Sequence, residues 1–166
     1  MIRLVKPADH PAIAAIVEPA FVAEFGSSTE NALIARLRDY GDVVFEMVAV
    51  DEAGEIVGHI LYSRLWVASP QLYAALAPMA VRNDLQKSGI GSALIRASFD
   101  TAREFGVHGV LVLGHPDFYG RFGFSREAAA LVTSPYSASP AFKGLAIEAG
   151  AFDAPITVAY PSAFGS

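Results

Sequence analysis

The hydrophobic positions of the chain alternate between a period of two, typical of strands, and a spacing of three to four residues, typical of helices. The first part predicts a strand at 2–5, a helix capped by Asp9, and a second helix opened by the capping-box pair Ser27 and Glu30. Further strands and helices are predicted at 43–50, 56–67, 72–81, 89–105, 107–113, 116–122, 144–150 and 155–160. The order β-α-α-β-β-β-α-β-α-β-β predicts an α/β fold, an α+β mixed sheet with helices on its faces. No linker or repeat divides the chain, so we expect a single domain over residues 1–166.

The strand predicted at 72–81 is apolar enough for a central position but contains Pro78. A proline has no backbone N–H to donate to the sheet. Pro78 therefore predicts a bulge or a local loss of pairing in this strand.

The segment QKSGIGSAL, residues 86–94, follows this strand and opens the next helix. A Walker A loop would place Lys and then Ser or Thr after the last glycine, where this chain has Ser and Ala. A dinucleotide fingerprint would place Gly or Ala three residues after that glycine, where this chain has Leu94. Both of these phosphate motifs are therefore excluded.

The pattern Q-x-x-G-x-G remains, and it has two explanations. The first N–H groups of a helix lack internal partners, and the helix dipole attracts an anion, so the loop suits a phosphate. Glycines would let the backbone approach that phosphate closely. Alternatively, Gly89 and Gly91 only permit close packing between helix and strand. The loop alone leaves both explanations open.

This strand and loop, together with HPDFYGRFGF at 115–124, resemble the GCN5-related N-acetyltransferase (GNAT) superfamily. The end of the chain resembles a bacterial subgroup of predicted acetyltransferases. The resemblance implies the GNAT acyl-CoA N-acyltransferase fold, with a bulged, splayed central strand. It also implies transfer of an acetyl group from acetyl-CoA to a primary amine of a small molecule or peptide. The amine would attack directly in a ternary complex, without a covalent enzyme intermediate.

The resemblance also assigns roles to residues of this chain. Tyr119 is implied as the catalytic residue, near the cofactor sulfur; the alternative is a tyrosine of the core, since Phe118, Phe122 and Phe124 surround it in the sequence. The backbone of Met79, Ala80 and Val81 is implied to line the pantetheine arm. The remaining cofactor-binding residues are predicted to be Gln86, Lys87, Ser88, Gly89, Ile90, Gly91, Ser92 and His115.

Many GNAT enzymes carry a glutamate on the bulged strand as general base, but 72–81 contains no acidic residue. His59 has a suitable intrinsic pKa, although a lone histidine in an apolar strand is more often structural. We expect Glu46 and Glu55 to be solvated charges. Acceptor selectivity is expected from the first two helices and from the loop at 134–142.

Composition narrows the function further. The net charge is −5 and no Lys/Arg-rich run occurs, which argues against nucleic-acid binding. The chain has no cysteine, so disulfides, thiolate metal sites and a cysteine nucleophile are excluded. Its 4 histidines show no metal-binding spacing, and no metal is expected.

No apolar run is long enough for a membrane span, and the first residues lack the apolar stretch of a signal peptide. We therefore expect a cytoplasmic protein with no membrane partner. The sequence leaves the oligomeric state open, and a homodimer is the commonest assembly.

The sequence leaves two rival functions open. A non-catalytic domain of the same fold would bind or sense acyl-CoA, and the missing strand glutamate favours it. An acyltransferase could also use an alcohol acceptor or an acyl group larger than acetyl.

Overall fold

The computed structural model describes residues 1–26, 29–114 and 116–165. Its helices are α1 (His10–Phe25), α2 (Glu30–Asp39), α3 (Ile90–Glu104) and α4 (Pro116–Tyr119). Its strands are β1 (Ile2–Leu4), β2 (Val43–Val50), β3 (Ile56–Val67), β4 (Leu72–Val81), β5 (Val107–Leu113), β6 (Val132–Thr133), β7 (Phe142–Ala146) and β8 (Ile156–Ala159). Within the described residues these eight strands form an open mixed sheet, which confirms the predicted α/β class.

The chain forms two compact units, and each unit consists of two segments. The first unit contains Met1–Tyr62 and Ala77–Ser98, and the second contains Ser63–Leu76 and Phe99–Ser166. Strands β3 and β4 contribute residues to both units. The single domain over residues 1–166 stays a prediction.

In the first unit, β1 pairs antiparallel with β2, and Ile2 lies opposite Ala49. Helix α1 buries Ile13, Ile16, Val17 and Ala20. The side chain of His59 on β3 contacts Glu46 of β2, whose carboxylate is bound by Arg38 of α2. The neighbouring Gly58 faces Leu94 of α3. Because successive strand residues point to opposite faces, α2 and α3 cover opposite faces of this part of the sheet.

In the second unit, β5 pairs with strands on both sides. It is parallel to β4 over Leu72–Ala75 and antiparallel to β7, where Leu113 lies opposite Phe142. Strand β8 pairs with β3 and with β6. The core of this unit is a cluster of buried apolar side chains, which includes Leu65, Tyr73, Leu111, Phe142, Phe152 and Val158.

Several predicted elements change in detail. Strand β6 was not predicted, and β7 begins at Phe142 where the sequence predicts loop up to that residue. The helix predicted at 116–122 is α4 followed by a 3-10 turn at Gly120–Phe122. Ser27 of the predicted capping box lies outside the described residues, and Thr29 is the N-cap of α2.

Candidate functional site

The end of β4 carries the backbone predicted to line pantetheine. Ala80 is buried there, and Met79 and Val81 are half-buried. The parallel register with β5 covers Leu72 to Ala75, with an irregularity between Leu72 and Tyr73. Pro78 therefore lies beyond this ladder, and the irregularity in the ladder lies nearer the start of the strand than the sequence predicts. The splay of β4 from β5 stays a prediction.

The turn between β4 and α3 is fixed by side-chain amides. Gln86 Nε2 donates to the carbonyl oxygen of Val81 at 3.3 Å and to Asn83 Oδ1 at 3.2 Å. Asn83 Nδ2 donates in turn to the carbonyl oxygen of Pro19 in α1 at 3.0 Å. Gln86 thus closes the turn on the strand, and Asn83 connects the turn to α1. Sequence reasoning assigned no role to Asn83.

Gly89 ends this turn in a conformation that suits glycine. Its φ is +93°, and a Cβ built on it would meet nothing within 4 Å. Its carbonyl oxygen accepts the first hydrogen bond of α3, from the amide of Ala93 at 3.0 Å. The amides of the first three helical residues precede that bond, and they make no hydrogen bond to any described residue: Ile90, Gly91 and Ser92. Such amides at a helix N-terminus are donors available to an anion.

Close packing between helix and strand occurs at a different glycine. A Cβ on Gly58 of β3 would lie 2.8 Å from Leu94 Cδ1 and 2.9 Å from Ile90 Cγ2. The space beside Gly89 is open. For Gly89, the structure therefore favours the anion cradle over the packing explanation.

Three basic side chains, Arg82 and Lys87 of the turn and Arg121 of the second unit, differ in their partners. Arg82 pairs with Asp84 at 2.7 Å, which raises the pKa of Arg82 and lowers that of Asp84. The guanidinium of Arg121 lies over the ring of Phe118, 5.0 Å from its centroid. Lys87 is exposed, has a φ of +65°, and forms no ion pair with any residue that the structure describes. Lys87 is thus the cation of the turn that remains available to a phosphate.

Tyr119 belongs to the second unit and is half-buried at the end of α4. Its ring meets Phe118 and Phe124 edge-on, with centroids 5.0 and 5.9 Å away. A Cβ on Gly114 would overlap Cε2 of the Tyr119 ring, so this ring requires a glycine at the end of β5. His115, a predicted cofactor contact, lies outside the described residues.

A buried polar cluster lies on the sheet face covered by α2. Arg38 donates to both carboxylate oxygens of Glu46, at 3.0 and 2.7 Å, and His59 Nε2 lies 2.8 Å from Glu46 Oε1. Burial raises the pKa of Glu46, but the hydrogen bonds from His59 and Arg38 outweigh it and lower the pKa to about 2. The interpretation of Glu46 as a solvated charge is therefore wrong, because α2 brings Arg38 over the strand.

His59 is completely buried, and burial lowers its pKa. We therefore take the imidazole as neutral, with Nε2–H donating to the Arg38–Glu46 ion pair. Its Nδ1 has no partner among the described residues. This environment favours the structural role of His59 over that of a general base, because an acceptor amine could not reach it directly.

Two predicted absences, of a metal site and of a membrane span, concern the residues that the structure describes, 1–26, 29–114 and 116–165. No group of three or more His, Cys, Asp or Glu side chains is placed there to hold a metal ion. None of the helices within those ranges combines the length and apolar character of a membrane span. The cytoplasmic location stays a prediction.

Comparison with known proteins decides the family. The model of the Acetyltransferase (GNAT) family matches residues 10–124. The chain belongs to the GNAT family. The matched range includes the Q-x-x-G-x-G loop and ends at Phe124, the last residue of the segment HPDFYGRFGF. The predicted family and the predicted acyltransferase class are thus confirmed.

This GNAT chain is similar to the Escherichia coli K12 protein named "Uncharacterized N-acetyltransferase YhbS", with 33% identity over 129 residues, 77% of this chain and 75% of that protein. The crystal structure of YhbS in complex with CoA has a TM-score of 0.85 at 28% identity, covering 99% of this chain and 91% of that chain. A GNAT family acetyltransferase from Brucella melitensis in complex with acetyl-CoA has a TM-score of 0.80 at 29% identity, covering 99% and 97%.

Proposed function

We propose that this GNAT protein transfers an acetyl group from acetyl-CoA to a primary amine of a small molecule or peptide. The observation that carries the proposal is the start of α3, where three amides without described partners follow the open backbone of Gly89. Two relatives have CoA or acetyl-CoA bound, which supports the pyrophosphate of acetyl-CoA as the anion. The fold and the family model support the acyl-transfer chemistry.

The pyrophosphate of the cofactor would lie against the segment 86–92. The amides of Ile90, Gly91 and Ser92 point their N–H groups from the positive end of the helix dipole. Lys87 would add a positive charge beside the pyrophosphate. It forms no ion pair with a described residue, so it would not first have to give up a carboxylate partner. Gln86 would act indirectly, because its side chain is engaged in holding the turn against Val81.

The backbone of Met79, Ala80 and Val81 would hold the pantetheine arm. These residues follow Pro78, beyond the part of β4 that is in register with β5. Strand β4 also neighbours β3, so the groups that need other partners are the backbone N–H and C=O groups on its β5 side beyond the ladder, and the amide groups of pantetheine could supply them. This arrangement would add a short strand-like pairing between cofactor and protein.

We propose that the hydroxyl of Tyr119 assists the departing sulfur. A phenol has a pKa of about 10 and a thiol of about 8.5, so complete proton transfer to the thiolate is uphill by roughly 2 kcal/mol. A hydrogen bond to the sulfur, or proton transfer in concert with C–S cleavage, avoids an uphill intermediate. Tyr119 would therefore affect kcat more than cofactor binding.

The acceptor amine must lose a proton, and β4 supplies no carboxylate for it. Neutralising a lysine-like amine with a pKa of about 10.4 costs roughly 4.6 kcal/mol at pH 7, against about 1.4 kcal/mol for an N-terminal type of amine near pKa 8. We therefore propose an acceptor amine of low pKa, deprotonated by solvent.

The direct test is thiol release from acetyl-CoA with a panel of amines at pH 7, with acetylated products identified by mass spectrometry. Transfer should be detectable, and amines near pKa 8 should react faster than lysine-like amines of similar size. Tight cofactor binding without transfer to any amine would support the non-catalytic acyl-CoA binder instead. Products carrying an ester or a longer acyl group would replace the proposed acceptor or donor.

A further inference from the structure

Lys143 of β7 is a buried cation. It is 4% exposed, and no described carboxylate lies within ion-pair distance of its ammonium group. Its Nζ donates to the carbonyl oxygens of Gly114 and Ala141, each at 3.2 Å. Burying an ammonium costs free energy, and two neutral carbonyls compensate it less well than an ion pair would. A single methionine at this position would avoid that cost, so the lysine needs another explanation.

The two carbonyl oxygens that Lys143 binds are connected through Gly114, which directly follows β5. The N–H of Gly114 donates to the carbonyl oxygen of Ala141 at 3.2 Å, and its own carbonyl accepts from Lys143. Both polar groups of this peptide segment are thereby bound to the beginning of β7. Gly114 is consequently fixed on two sides, although it lies beyond Leu113 and Phe142, the last residue pair of the two strands.

The position of Gly114 determines where the ring of Tyr119 can lie. The ring occupies the space that a Cβ on Gly114 would need, so ring and backbone are in direct contact. Any movement of the Gly114 peptide would therefore displace this ring or leave a gap beneath it. Lys143 thus connects to Tyr119 through a single intervening residue.

We propose that Lys143 is a positioning residue for Tyr119: its ammonium holds the Gly114 carbonyl, and the fixed Gly114 backbone sets the orientation of the Tyr119 ring. The catalytic consequence rests on the proposed function of Tyr119. A misplacement of about 1 Å of a group that acts at the reacting atoms costs up to roughly 100-fold in rate. Lys143 would therefore influence kcat without touching the substrate.

The test is a double-mutant cycle of Lys143→Met and Tyr119→Phe, measured as kcat and KM for acetyl-CoA. Lys143→Met should lower kcat by about 10- to 100-fold and leave KM within about twofold. In the Tyr119→Phe background the same substitution should change kcat by less than about twofold, because there is no hydroxyl left to position. Lys143→Gln keeps an N–H donor for the carbonyl and should recover part of the loss; it also carries the cycle if the methionine variant does not fold.

Equal losses of kcat in both backgrounds, or an effect on KM alone, would overturn the inference. A second measurement does not depend on activity. The ring NMR resonances of Tyr119, assigned by their absence from Tyr119→Phe, should shift in Lys143→Met and return towards wild type in Lys143→Gln; unchanged resonances would overturn the inference. A wild-type protein that transfers no acetyl group would overturn the proposed function, while these resonances would still decide on Lys143.

Discussion

Glu46 and His59 lie on the neighbouring strands β2 and β3, with Glu46 Oε1 2.8 Å from His59 Nε2. Arg38 of α2 binds the same carboxylate through both of its oxygens. The carboxylate therefore joins α2 to two strands of the first unit. The contribution of this ion pair to the free energy of unfolding depends on its burial, because removing one partner of a buried ion pair leaves an uncompensated charge.

Glu46→Gln should destabilise the protein by about 3 kcal/mol, because Arg38 would lose its counter-charge in a mostly buried position. Chemical denaturation followed by fluorescence would measure the change. Asp84→Asn removes an ion pair of similar geometry at the surface and is the matched control, which should leave the denaturation midpoint nearly unchanged. Equal effects of the two substitutions would contradict the structural role of Glu46.

The pH dependence of stability should reflect His59 and Glu46 in turn. The folded-state pKa of His59 is below 6.5, so the unfolded chain takes up the proton first and stability falls as the pH drops below about 6.5. The folded-state pKa of Glu46 is about 2 against 4.5 for the free group, so its contribution is lost as the pH falls from about 4.5 towards 2. The titration of each group therefore lowers the free energy of unfolding as the pH falls.

His59→Gln removes the first of these two steps but keeps an N–H donor for Glu46. The melting temperature of this variant should depend less on pH between about 6.5 and 5 than that of the wild type. A His59→Gln variant with the full wild-type slope would show that His59 is not buried in its neutral form.

Gly58→Ala should disturb the beginning of α3. The added Cβ would lie within 3 Å of side-chain atoms of Leu94 and Ile90, and such overpacking costs about 1–3 kcal/mol. Because Ile90 is the first residue of α3, acetyl-CoA affinity should fall together with the melting temperature. Gly120→Ala is the control for stability, since a Cβ there meets nothing within 4 Å. Unchanged stability in Gly58→Ala would show that helix and strand are not closely packed there.

The turn at 86–89 and the start of α3 could be predicted because their signal is local in the sequence. The residues of the Q-x-x-G-x-G loop are close together in the chain. The Walker A loop and the dinucleotide fingerprint can be told from it by the residue types at one or two positions. By contrast, the environment of Glu46 depends on Arg38, eight residues earlier on a different element. The alternation of apolar and polar residues along a strand does not indicate a partner on another element.

Lys143 and Gly58 show the same limit. Lys143 interrupts the apolar pattern of β7, so the strand was predicted to begin at Gly144 when it begins at Phe142. Its partner Gly114 is 29 residues away. Gly58 packs against a helix more than 30 residues later in the chain. In each case the deciding contact is made by tertiary packing, which local propensity does not encode.

The central claim is that the backbone from Gly89 to Ser92 binds the pyrophosphate of acetyl-CoA, and calorimetric titration of Gly89→Ala against Gly54→Ala tests it most directly. Both glycines have a positive φ, +93° and +83°, and both have open space at the Cβ position, so the two substitutions carry similar backbone strain. A hydrogen bond to a charged group is worth about 1.5–3 kcal/mol, so losing one at Gly89→Ala should weaken binding by roughly tenfold or more. Gly54→Ala should bind acetyl-CoA like the wild type; equal affinities of the two variants, or a wild-type protein that does not bind acetyl-CoA, would contradict the account.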